Sequence, residues 1–239
     1  MKQKRVSTGI PGLDPLLEGG LPPGKSYLIT GGSGTGKSIF CMQFLLKGLG
    51  DGEKAVYVAV DEKPRDILEH AASLGWEVDK FIENKQLLIL DASAYFTARV
   101  GNPREREVDI QKTVADLAGY VKKIEASRVV IDPVGPLVML GESATRLQEN
   151  TRFLVHSLQE NRGSTNILTS YSTAYSGGVA QSGVEEYLVE GVVVLSVSRS
   201  QNRIARTLSI RKMRGTAVDL LEYPFTLKKG KGIVLSPMV

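Results

Sequence analysis

Cysteine is almost absent from this chain. Cys41 is the single one among 239 residues, which excludes an intrachain disulfide and a cysteine metal site. It follows a Gly-rich run in an apolar stretch, where a small buried thiol is expected. Only two histidines occur, His70 and His156. Both fall on amphipathic helical patterns, form no metal-ligand cluster, and are read as structural. No stretch approaches the roughly 18 to 20 apolar residues of a membrane span, and the opening MKQKRVSTG lacks the apolar core of a secretion signal. The expectation is a cytoplasmic protein with no membrane partner. Repeats and low-complexity linkers are missing, and so is any long block of one charge. Lys and Arg number 30 against 26 Asp and Glu, a net charge of +4 with a pI near 9.1. That mild, dispersed excess reads as a solvated surface and is not by itself a nucleic-acid signature.

What is present is an ordinary apolar content of 42%, enough for a sizeable core. The length suits one large α/β domain over 1–239. Residues 7–24, rich in Gly and Pro, read as an irregular opening segment. Apolar strand patterns then alternate with helical ones. Strands are expected at 26–30, 55–60, 87–90, 128–131 and around Ile167 to Thr169. Helices are expected at about 38–49, 64–74, 107–125 and 144–161, with a polar loop over 92–105. Such alternation implies a mainly parallel sheet with helices on both faces. Residues 191–198 and 203–213 read as a hairpin turning through Ser200, Gln201 and Asn202, and 224–235 could add a short pair. The parallel core is thus expected to end in an antiparallel edge.

Gly31 to Ser38, GGSGTGKS, fits G-x-x-x-x-G-K-[ST] with Gly31, Gly36, Lys37 and Ser38 in register. Glycine permits close backbone approach, so successive N–H groups can face phosphate oxygens. The helix that follows adds its N-terminal dipole. Lys37 supplies charge to the β- and γ-phosphates and the Ser38 hydroxyl is placed to ligate Mg²⁺. The pattern arises by chance in on the order of 1% of chains this long, and the preceding strand and following helix make it more specific. ATP (or ADP) with Mg²⁺ is therefore expected against Ser33, Gly34, Thr35, Gly36, Lys37, Ser38 and Ile39.

Three further elements are weaker alone. Arg128 to Asp132 is a buried strand ending in a carboxylate, suited to the Mg²⁺ side of the site or to a plain turn. Asp61-Glu62 follows the second strand, at the edge where ligands bind in open α/β sheets. One of these acids could polarise water, or the pair could simply open a helix. Lys212-Met213-Arg214 ends a hairpin strand, with both cations on one face. They could pair with surface acids, reach a triphosphate, or act on a neighbouring subunit's nucleotide.

Together these elements resemble the KaiC-type branch of the RecA superfamily. The resemblance runs over nearly the whole chain in seven ordered blocks: Thr8 to Asp14, Gly19 to Pro22, the Gly-rich loop, Ser73 to Trp76, Gly183 to Tyr187, Lys212 to Thr216 and Glu222 to Phe225. It implies hexameric rings with ATP between subunits. Glu62 and Asp61 match an acidic pair that activates water. The family usually has two Glu there, which favours Glu62 as the base. Asp132 matches the Mg²⁺-side acid and Ser73 a position near the nucleotide. Lys212 and Arg214 match a pair reaching the neighbour's γ-phosphate, with Met213 and Thr216 beside them. Where some relatives carry a self-phosphorylated Ser-Thr pair, this chain has Glu186 and Tyr187, so autokinase activity there is not expected. Thr169 to Thr173 departs from the family too, since many relatives have an acid in that place.

Two readings of function follow. One is a ring-forming ATPase of regulatory or signalling type, a homo-oligomer with an unidentified protein partner. The other is a DNA-handling RecA relative. Segments 139–148 and 171–183 would face a ring's channel, but Arg146 is the only Lys or Arg in either, a thin supply for a phosphate track. A nucleotide-binding scaffold without turnover is disfavoured by intact Lys37, Glu62 and Asp132.

Overall fold

The computed structural model describes residues 4–93, 110–138, 144–160, 163–171, 184–200 and 203–236. Nine strands form one sheet: β1 (Ser26–Gly31), β2 (Ala55–Ala59), β3 (Leu87–Asp91), β4 (Arg128–Asp132), β5 (Thr165–Tyr171), β6 (Gly191–Ser200), β7 (Arg203–Met213), β8 (Glu222–Lys228) and β9 (Gly232–Leu235). Their order is β3-β2-β4-β5-β1-β6-β7-β8-β9. The first six pair in parallel, and β7, β8 and β9 add antiparallel ladders. This is the anticipated parallel core with an antiparallel edge.

The helices are α1 (Lys37–Gly50), α2 (Pro64–Ser73), α3 (Asp79–Glu83), α4 (Ile110–Ile124), α5 (Gly135–Val138), α6 (Ala144–Glu160) and α7 (Val184–Leu188). Strand alternation sends Tyr27 and Ile29 to one face of the sheet, where Phe40, Phe44, Ile67 and Ala71 of α1 and α2 cover them. It sends Leu28, Val129 and Ile131 to the other, under Val114, Leu117, Leu154 and Leu158 of α4 and α6. Helices on both faces explain why the centres of these parallel strands, Tyr27 to Ile29, Val56 to Val58 and Val129 to Ile131, are apolar without alternation. The short α3, α5 and α7 were not anticipated. At four or five residues each, they are too brief to show a helical period. Most of the expected polar loop, the first turn of the helix expected from 107, and the hairpin turn at Gln201 and Asn202 lie outside the described residues.

The opening segment is irregular but firmly held. Asp14 accepts hydrogen bonds from Ser7 Oγ at 2.5 Å, Thr8 N at 2.8 Å and Thr8 Oγ1 at 2.6 Å, and Leu13 and Leu17 are fully buried. Arg128 ties this segment to the core. It is 1% exposed and donates to Ser7 O at 2.8 Å, Phe44 O at 2.7 Å and Glu53 Oε2 at 2.7 Å. Its guanidinium lies 4.5 Å from the Phe44 ring centroid. Burial is the largest influence on Glu53 and opposes its ionisation, but the Arg128 hydrogen bond, the Arg128 charge and the Ser127 hydrogen bond together outweigh it and hold that carboxyl below its ordinary value. The pair therefore adds stability at neutral pH that is lost as pH falls through the depressed value. Arg128→Met strands two backbone carbonyls and one carboxylate, and is expected to lower stability by about 3 kcal/mol in urea unfolding.

Register brings the strand ends together. Gly31 of β1 is level with Tyr171 of β5, and Ala59 of β2 with Asp132 of β4. The C-terminal ends of four adjacent parallel strands thus form one edge, the place where open α/β sheets bind ligands.

Candidate functional site

The Gly-rich loop leaves β1 at that edge and runs directly into α1. Two of its glycines are required by geometry. A Cβ on Gly31 would stand 2.3 Å from Leu195 O of the adjacent β6. Gly36, which precedes α1, has φ +109°, a conformation side chains rarely adopt. Inside the loop Thr35 is buried and donates to Gly32 O at 2.9 Å. The Lys37 ammonium donates to Gly31 O and Gly32 O, both at 2.9 Å. Burial lowers the pKa of Lys37, opposed by the nearby Asp132 carboxylate.

Asp132 is gripped from two strands. Tyr57 Oη of β2 donates to its Oδ2 at 2.6 Å, and Thr169 Oγ1 of β5 donates to its Oδ1. Burial, and then Asp132 itself, push the Tyr57 phenol well above its usual pKa, so Tyr57 stays a donor. Ser33, Gly34, Gly36, Lys37, Ser38, Ile39, Asp61, Glu62 and Asp132 all border one cavity of about 290 Å³. A second cavity of about 280 Å³ adjoins it through Ser38, Ile39, Tyr57 and Glu62. Its wall is mostly apolar, with Met42, Ile67, Leu74 and Trp76, and includes Ser73. Ser73 Oγ donates to His70 O at 2.7 Å.

The oxygen donors suit a hard cation. Ser38 offers a hydroxyl and Asp132 a carboxylate. Among the described residues no cluster of three or more His, Cys, Asp or Glu exists. Such a sparse set fits Mg²⁺, which is usually held by one or two protein oxygens together with substrate phosphates and water.

A family model described as "ATPase: KaiC" matches residues 6–238. The chain belongs to the KaiC ATPase family. Its relatives include the UPF0273 protein MK0039 of Methanopyrus kandleri, 36% identical over 99% of this chain and 94% of that one. The circadian clock oscillator protein KaiC of Thermosynechococcus vestitus is 35% identical over 96% of this chain, which spans only 44% of the clock protein. Among solved structures, the KaiC-like protein PH0186 of Pyrococcus horikoshii superposes with a TM-score of 0.82 at 34% identity. That match covers 98% of this chain and 99% of the other. The fold of this KaiC-family chain is accordingly that of a RecA-like P-loop ATPase.

Not every residue singled out in the sequence joins the cluster. Lys212 pairs with Val192, which pairs with Leu28. It therefore sits three residues, roughly 10 Å, back along the sheet from the level of Gly31. Arg214 lies beyond it. A register shift between Val192 and Val193 lets Ile210 and Met213 both face the α1 side, while Lys212 turns to the other. There Lys212 Nζ donates to Glu186 O at 2.9 Å and Val189 O at 2.8 Å, and Arg214 Nη2 to Tyr187 O at 3.2 Å. Within one chain the two cations thus cap the C-terminal carbonyls of α7. Met213 is buried against Gly191. Thr216 Oγ1 accepts from Arg5 Nη1 at 2.7 Å.

Sequence reasoning missed four residues of the site. Tyr57 and Thr169 hold Asp132, Tyr171 borders the first cavity, and His70 stands 3.5 Å from Glu62. Thr169 and Tyr171 were visible as a departure from the family but had no partner until β5 was placed between β4 and β1. No helix among the described residues is long and apolar enough to cross a membrane. Of the two segments behind the DNA-handling reading, 139–143 and 172–183 lie outside the described residues.

Proposed function

We propose that residues 1–239 act as one ATP-hydrolysing domain of a homo-oligomeric ring, hexameric as in the family, whose ATP sites lie between subunits. The observation that carries this reading is a separation. Lys37, Asp61, Glu62 and Asp132 share one cavity, whereas Lys212 and Arg214 lie three or more residues back along the sheet with their side chains on carbonyls at the end of α7. Two cations so placed cannot serve the phosphate loop of their own chain. They can serve one presented by a neighbour.

Residues of the Gly-rich loop would hold the phosphates, with Lys37 leaving its carbonyl partners for the β- and γ-oxygens. Ser38 and Asp132 would hold Mg²⁺, which when bound neutralises phosphate charge. The adjoining apolar cavity, beside Ser73 and Trp76, suits the flat base of ATP. Glu62 orients a water and takes its proton as the oxygen attacks the γ-phosphorus, and ADP leaves. Asp61 is the neighbouring acid. Glu186 and Tyr187 offer no Ser-Thr pair, so the proposed activity is hydrolysis without self-phosphorylation. The output is regulatory: nucleotide state sets ring shape and affinity for a protein partner. A location in the cytoplasm belongs to the same proposal.

Sedimentation with ATP and Mg²⁺, together with phosphate release, tests the reading. Ring-sized particles that release phosphate are expected. A species that stays monomeric at saturating ATP contradicts it.

A further inference from the structure

Tyr171 ends β5 as an exposed aromatic, 56% accessible. It contributes little to the core, yet it makes two specific contacts. Its ring lies 4.9 Å from Lys37 Nζ, and its Oη donates to Asp61 Oδ2 at 3.2 Å. Backbone pairing fixes the first contact, because Tyr171 is the direct partner of Gly31. The second spans the mouth of the site from β5 to the segment after β2. Partial burial, and then the Asp61 carboxylate, raise the pKa of the phenol, so it remains a donor at neutral pH.

The two adjacent acids therefore have different partners. Asp61 is bound to Tyr171 on the β5 side. Glu62 lies on the α2 side, with His70 Nδ1 3.5 Å away. A carboxylate engaged by a phenol is a weaker proton acceptor and is held from swinging toward the cavity. We propose that Tyr171 is a positioning residue: it sequesters Asp61 and so assigns the role of base to Glu62 alone. This rests on the hydrolytic reading above and adds the reason why one acid of the pair, and not either, carries the reaction.

The tie is first tested without nucleotide. Tyrosine ionisation is followed by ultraviolet difference spectra in wild type and Asp61→Asn, with Tyr171→Phe identifying the share of Tyr171 among the eight tyrosines. Tyr171 is expected to titrate at lower pH once the Asp61 charge is gone. An unchanged titration overturns the proposal whether or not the protein hydrolyses ATP. Turnover is then measured on full-length protein with ATP and Mg²⁺. Tyr171→Phe keeps the ring over Lys37 and frees Asp61. In a Glu62→Gln background it is expected to raise kcat roughly tenfold with KM unchanged. That gain should vanish when Asp61→Asn is added. A double variant no faster than Glu62→Gln, or a gain that survives Asp61→Asn, overturns the assignment. So does a Glu62→Gln protein whose remaining turnover is already abolished by Asp61→Asn. Absence of any turnover in wild type would sink the hydrolytic reading instead, leaving the spectroscopic result to decide on the tie.

Discussion

Glu62→Gln is expected to slow ATP turnover by roughly 10²- to 10³-fold while nucleotide affinity changes little. Glu62 borders the cavity shared with Lys37, Ser38 and Asp132. None of the residues that would hold phosphate depends on it for its position. Lys37 is held by Gly31 O and Gly32 O, and Asp132 by Tyr57 and Thr169. Glutamine preserves size and keeps a polar neighbour for His70, but it cannot accept a proton from water. The effect should therefore fall on kcat and spare KM. Phosphate release and equilibrium binding of a fluorescent ATP analogue separate the two. A variant with wild-type turnover would remove Glu62 from the base role.

Arg214→Ala is expected to cost roughly 10³-fold in turnover, without loss of the fold. Two roles compete for this residue. As a cap on α7 it makes one exposed 3.2 Å hydrogen bond to Tyr187 O, and its loss would change stability by about 1 kcal/mol at most. As a cation on a neighbour's γ-phosphate it would stabilise charge developing in the transition state. Only the second predicts a large kinetic effect. Lys212 is more deeply engaged with α7 through two carbonyls, and burial, with Arg214 adding to it, lowers its pKa. Lys212→Ala is therefore expected to disturb both α7 and turnover, which makes Arg214 the cleaner probe. Unfolding curves and phosphate release on the same preparation distinguish the roles.

Much of this was legible in the sequence because it depends on short-range signals. The Gly-rich octet names its own backbone, and the apolar blocks from Tyr27 to Ile29 and Val129 to Ile131 name buried parallel strands. Asp132 ends β4 and Asp61-Glu62 come just after β2, so placing the strands places the acids. The remaining residues of the site depend on register between distant segments. Tyr57 reaches Asp132 because β2 pairs with β4, and Tyr171 reaches Lys37 because β5 pairs with β1. A histidine on an amphipathic helix looks structural until α2 is docked. His70 then faces Glu62. For Lys212 and Arg214 the sequence left three uses open. The ladder from β7 through β6 to β1 sets them back from the level of Gly31, and their side chains meet the α7 carbonyls.

The shared site is tested most directly by mixing subunits. Lys37→Ala chains keep Arg214, and Arg214→Ala chains keep Lys37, so neither homogeneous ring contains a complete site. In rings assembled from equal amounts, about a quarter of the head-to-tail interfaces would join an intact Lys37 to an intact Arg214. Phosphate release is measured against each variant alone. The expected result is recovery in the mixture, rising and falling with the mixing ratio and peaking at equal amounts. Mixed rings no more active than the sum of the two separate variants would contradict a site built from two subunits.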